Sequence, residues 1–209
     1  MKADLHSYLK GGRDTLLWKL DGLSEYDIRR PLTKTATNLL GLVKHSAASE
    51  ILYFGVVFDR PFAEELSYVG DGAETNADMW ATADETREEI VDQYRRAIAH
   101  ADSTIEALAL DHVGRVPWWG DAAVTLHHVL VHVIAETQRH AGHADIVREL
   151  IDGAAGLLPS NDNLPPADET WWRDHRQRVE QAALDAGRRG NQVSVESRSL
   201  PGLLNGRPT

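Results

Sequence analysis

The sequence predicts an all-α protein, a four-helix bundle followed by a C-terminal accessory helix and a flexible tail. Three observations lead there. Four long segments carry apolar residues at helical spacing, no stretch alternates convincingly as a strand, and no internal repeat is visible.

Residues 4–22 form the first helix, with Asp4 as N-cap, an apolar stripe of Leu5, Tyr8, Leu9, Leu16, Leu17 and Leu20, and Gly22 as its end. Gly11 and Gly12 weaken it, since a glycine costs about 1 kcal/mol in a helix interior. Residues 24–34 read as a turn around Pro31. The second helix, 36–58, is apolar on more than one face (Leu39, Leu40, Leu42, Val43, Ile51, Leu52, Phe54) and is therefore central; Asp59-Arg60-Pro61 stops it. Residues 61–82 make a long connection, of a length that often carries function. The third helix, 84–110, opens with Asp84 and Arg87 and repeats Ile90, Tyr94, Ile98, Ile105 and Leu108. Its acidic start, Asp84-Glu85 and Glu88-Glu89, suits a solvated helix N-terminus. An aromatic loop, Val116-Pro117-Trp118-Trp119-Gly120, leads to the fourth helix, 123–151, closed by Asp152-Gly153. Residues 154–167 are a linker. Residues 168–187 form a polar helix that opens at Asp168 and carries Trp171-Trp172, as an anchor onto the bundle or a dimer contact. From Gly190 a flexible tail is expected. The domain organisation is thus 1–155, a bundle; 156–189, linker and accessory helix; and 190–209, tail.

Composition narrows the function. The chain has 209 residues, 42% hydrophobic and 26% charged, enough for one large domain with a core. A net charge of −10 with no basic cluster argues against a nucleic-acid partner. There is no cysteine, which excludes disulfides, thiolate metal sites and a cysteine nucleophile. Residues 1–6 show no signal-peptide core, and no apolar run approaches the ~20 residues of a membrane span. The expectation is a cytoplasmic protein with no membrane partner.

The chemistry concentrates in the fourth helix. Five of the ten histidines lie between His127 and His143, with Glu136 among them. Glu136 and His140 are four apart and project from one face of a helix, as two ligands of one metal would. A third ligand must come from elsewhere. His45 sits in the apolar second helix, where an unpaired imidazole would cost about 1–3 kcal/mol. A metal shared with the fourth helix would satisfy it, as would an ordinary hydrogen bond in the core. Two histidines and a carboxylate with open water positions suit zinc, nickel or iron(II).

The run His132 to Glu149 is similar to the signature of the DinB-like superfamily. It most resembles the branch that includes the metal-binding domain of mycothiol-dependent maleylpyruvate isomerase. Asn38-Leu39-Leu40-Gly41-Leu42-Val43-Lys44-His45 and Val116-Pro117-Trp118 match the same branch, and the resemblance covers roughly residues 4–155. It implies a four-helix bundle, often a homodimer, with one divalent metal held by His45, Glu136 and His140. A glutamate in the first position on the fourth helix marks the thiol-dependent branch. His143 stands where many relatives have glutamine and is not expected as a primary ligand. His132 is the main rival ligand, and His127 and His128 belong at the rim or in solvent. Residues 168–209 match nothing in that isomerase's second domain, so the isomerase reaction is not carried over.

The function implied is a metal-dependent thiol S-transferase that joins a low-molecular-weight thiol such as mycothiol to a small electrophile, with zinc as the leading metal. Trp118, at the pocket mouth or equally packed under the bundle, and Arg139, suited to an anionic substrate or thiol or else simply exposed, are the substrate-binding candidates; no general base stands out. The alternatives are a non-catalytic, stress-related metal-binding protein and a metal-assisted hydrolase.

Overall fold

In the computed structural model residues 1–70 and 72–198 are described, the side chains of 190–198 excepted. The chain divides into two compact units, Met1–Asn163 and a second that begins at Leu164. Among the described residues there are six α-helices and one two-stranded hairpin: α1 (Lys2–Trp18), α2 (Glu25–Arg29), α3 (Leu39–Phe54), α4 (Arg87–Ala107), β1 (Val113–Val116), β2 (Ala122–Thr125), α5 (Leu126–Asp152) and α6 (Glu169–Arg198). The fold is mostly helical, and no described helix is long and apolar enough to cross a membrane.

Several boundaries differ from expectation because side-chain caps set them. Asp4 lies inside the first turn of α1 and pairs with the N-terminal amine rather than capping the helix. Ser24 accepts a hydrogen bond from the Asp27 amide and starts α2 where only a turn was expected. Asn38 caps α3 by accepting from Gly41 N at 2.8 Å, and Gly55 ends it ahead of a 3-10 turn at Val56–Phe58. Thr86 and Glu89 form a reciprocal capping box, so α4 opens at Arg87 and not at Asp84. Thr125 caps α5.

The mostly helical fold agrees with the all-α expectation, and one short hairpin is added to it. β1 and β2 pair antiparallel, Val113 opposite Thr125 and Val116 opposite Ala122. Each is only four residues long, too short for alternation to register against neighbouring helical patterns. Pro117–Trp119 form a 3-10 turn between them, with Gly120 and Asp121 in left-handed conformation. In the second unit α6 continues to Arg198, so residues 190–198 of the expected tail are helical. Residues 199–209 lie outside the described residues.

In the first unit α1 packs chiefly on α5, and α3 packs on both α4 and α5. Helix α3 is buried on nearly all sides (Leu39, Leu40, Leu42, Val43, Ala47, Ile51, Phe54), as its all-round apolarity demands. Its first half joins Leu16, Ile28, Ile90, Tyr94 and Val147 in one apolar cluster. Its end, Phe54, joins Leu9, Ile105, Val116, Leu126 and Val133 in another. Helix α1 runs unbroken through Gly11-Gly12. A Cβ at Gly12 would lie 2.9 Å from Thr137 Cγ2, so the glycine lets α1 and α5 approach.

A charged knot ties three helices together. Arg13 of α1, 1% exposed, donates from Nε and Nη2 to both oxygens of buried Glu50 of α3 at 2.7 Å. Its Nη1 reaches Asp102 of α4 at 2.7 Å. Removing one partner strands a buried charge, at a cost of about 3–5 kcal/mol. Glu50→Ala is therefore expected to lower unfolding free energy by about that much in urea denaturation. Arg13→Met combined with Glu50→Leu should cost less than Glu50→Ala alone, since no buried charge is left unpaired and half-exposed Asp102 keeps His6.

Candidate metal centre

The buried positions of α5 form one stripe: Leu126, Val129, Leu130, Val133, Thr137, His140, Ala141, Ala144, Val147 and Arg148. The spacing of three and four brings His140 onto the stripe that faces α3, with Glu136 one turn earlier at its edge. His45 projects from the middle of α3. The two imidazoles meet edge to face, ring centroids 4.8 Å apart. Glu136 Oε1 lies 3.0 Å from His140 Nε2 and 3.7 Å from His45 Nε2. One ligand-type atom from each residue lies within 4.8 Å of the others. Exposure sets the open side: the Glu136 side chain is 35% exposed, His45 23% and His140 11%.

Burial opposes charge on Glu136, but hydrogen bonding to His140 and the nearby His45 outweigh it and hold its carboxyl below the usual range. Burial, reinforced by the adjacent His45, lowers the His140 imidazole despite Glu136. The resulting set, an ionised carboxylate and a neutral imidazole beside a second imidazole, is the donor chemistry that a borderline divalent metal binds. The outer nitrogens of the two imidazoles differ. His45 Nδ1 is 2.6 Å from Asp78 Oδ2, whereas His140 Nδ1 is buried without a hydrogen-bond partner.

The other histidines fall outside this cluster. His132, one turn before Glu136, pairs through Nε2 with Tyr53 Oη at 2.9 Å. Burial lowers its pKa, against the pull of Glu136. His143 is exposed, its ring 5.4 Å from that of His140. His127 and His128 are exposed, and His128 sits near Trp119 at 5.8 Å between ring centroids. Trp118 is 43% exposed and donates from Nε1 to Tyr53 Oη at 3.3 Å. Trp119 meets His132 at 4.8 Å. The aromatic hairpin turn thus closes over Tyr53 and His132. Arg139 is exposed and is not part of the three-residue cluster, two of whose members, Glu136 and His140, flank it on α5.

Sequence reasoning missed Tyr53 and Asp78. Tyr53 had a usable signal, since it stands eight residues, about two turns, after His45 on α3. Asp78 had none, because only the fold brings its loop to α3.

A model of a protein family described as Mycothiol-S-transferase matches residues 4–153. Among solved structures, a conserved protein from Enterococcus faecalis aligns with a TM-score of 0.55 at 16% identity, over 73% of this chain and 98% of that one. At that identity the likeness is one of fold. No curated protein matches the chain.

The lowered imidazoles give the protein an acid sensitivity with a definite sign. In the unfolded chain histidines titrate near about 6.5. On acidification the unfolded chain takes up protons before folded His140 and His132 do. Stability present above about pH 6.5 is then lost as pH falls through the lower folded values. The urea midpoint of the metal-free protein should fall between about pH 7 and about pH 5, less steeply in His132→Gln. An equal slope in wild type and variant would exclude a contribution from His132.

Proposed function

The chain belongs to the mycothiol-S-transferase family, of DinB-like type, and on that premise we propose that it is a metal-dependent thiol S-transferase built on a four-helix bundle. The observation that carries this reading is the convergence of His45, Glu136 and His140 from two helices at one partly open point. The proposed cofactor is one divalent metal held by those three side chains. Zinc suits two imidazoles and a carboxylate, and nickel and iron(II) fit the same donors. When bound, such a metal lowers the pKa of a thiol toward neutrality and makes a sulfur nucleophile available at pH 7.

The rest is work for the protein's own groups. The chain has no cysteine, so the thiol comes from outside it, and the family suggests the small molecule mycothiol. In the transfer the thiol sulfur bonds to an electrophilic carbon, the leaving group departs with the bonding pair, and the thiol proton is released. Glu136, ionised and at the exposed edge, faces the incoming thiol beside the imidazoles. Trp118 and Tyr53, in edge-to-face contact, offer aromatic surface beside the site for the electrophile. Exposed Arg139 is the candidate for an anionic group on the thiol. A cytoplasmic site of action and a homodimer belong to the same proposal.

Metal-loaded protein incubated with a thiol and a chlorinated aromatic should consume thiol faster than the metal-free protein. Equal rates would sink the transferase reading, and turnover without thiol would favour hydrolysis by bound water. His45→Ala and His140→Ala should each abolish stoichiometric metal in elemental analysis. Full occupancy in either variant would refute the three-residue site.

A further inference from the structure

The long connection between α3 and α4 is fastened to the first half of α3 at three points. Asn38 donates from Nδ2 to Met79 O at 3.1 Å while its Oδ1 caps the helix. Lys44 donates from Nζ to Trp80 O at 3.1 Å and pairs with Glu85 at 2.7 Å. Gly41 makes the seating feasible, for a Cβ there would lie only 1.8 Å from Met79 O. Met79 and Ala81 also pack against the apolar cluster around α3. Immediately before these anchors, the 3-10 turn Ala77–Met79 delivers Asp78 to His45, Oδ2 to Nδ1 at 2.6 Å.

We propose that Asp78 is the positioning residue of the metal centre: it accepts the Nδ1 proton of His45, fixes that tautomer, and holds Nε2 toward Glu136 and His140. The inference rests on the metal reading above and names a residue that reading does not require.

The chemistry is direct. A neutral imidazole carries one proton, so seating it on Nδ1 leaves Nε2 as a lone pair. Nε2 is the atom that lies 3.7 Å from Glu136. A carboxylate behind a metal-bound imidazole raises its basicity and locks its ring. The asymmetry between the imidazoles gives Asp78 its weight. His140 is held by burial in the α5 stripe, and its own Nδ1 has no partner. His45 is more exposed, and Asp78 supplies the carboxylate at its outer nitrogen. The three anchors also give the connection a purpose beyond linking two helices: they hold a turn whose aspartate faces the site.

The test uses full-length protein and zinc as the probe. Zinc affinity is measured by competition with a chromogenic chelator, and the His45 tautomer by nitrogen-15 NMR of the metal-free protein at mildly alkaline pH. Asp78→Ala should weaken zinc binding roughly 10–100-fold and shift the His45 proton away from Nδ1. Asp78→Asn keeps an acceptor oxygen in place and should fall between wild type and Asp78→Ala. Asp92→Asn removes the same charge from an exposed position on α4 and should match wild type. Urea unfolding of each variant checks that the fold is intact. Zinc affinity in Asp78→Ala within about threefold of wild type would overturn the proposal. So would a wild-type His45 that carries its proton on Nε2. If wild-type protein binds no zinc, the metal reading fails by itself, and the tautomer still decides whether Asp78 sets His45.

Discussion

Helix α3 meets α5 through small and branched side chains, with Val43, Ala47 and Ile51 of α3 in the same buried cluster as Ala144 and Val147 of α5. Small residues permit a close approach, and burial on both sides leaves α3 little freedom to rotate. That contact sets the separation of His45 and His140. A one-residue turn of either helix, about 100°, would carry an imidazole out of the cluster. The site therefore depends on core packing more than on its own polar contacts, and those contacts serve mainly to orient groups the packing has brought together.

The polar groups buried around α3 follow a common rule, in which each charge that leaves water finds a specific partner. Glu50 takes the forked guanidinium of Arg13, and Lys44 takes Glu85 and a backbone carbonyl. Such pairs add little net stability but are costly to mismatch, so they favour one register of helices over its neighbours. The Arg13 knot fixes α1 and α4 to the core-facing side of α3, and the Lys44 contacts fix the loop. His45 stands beside Lys44 in sequence and inherits a rigid frame from both.

Along the α3–α5 contact the side chains change from polar to aromatic. Glu136 and the two imidazoles occupy one end, and His132, Tyr53, Trp118 and Trp119 occupy the other. The hairpin that carries Trp118 and Trp119 is the one two-stranded sheet among the described residues, and its tight turn sets both rings against Tyr53. An ionised, polar end beside an aromatic wall suits the transfer proposed above, in which a thiol is joined to a small electrophile.

Much of this was legible in the sequence. The periodicity of apolar residues marked the long helices, because burial on one face leaves a repeat of three and four that survives without knowledge of neighbours. The i, i+4 spacing of Glu136 and His140 put them on one face, and the apolar setting of His45 marked it as needing a partner. Helix ends were misplaced where a single hydroxyl or amide cap decided them, as at Asn38 and Thr86. The hairpin escaped notice because its stability comes from pairing rather than from local pattern. Only the tertiary structure could bring Asp78 to His45 or Tyr53 to His132. These contacts join segments 33 and 79 residues apart. No local pattern encodes them: the close approach at Gly41 and the packing of α3 on α5 are properties of the assembled core.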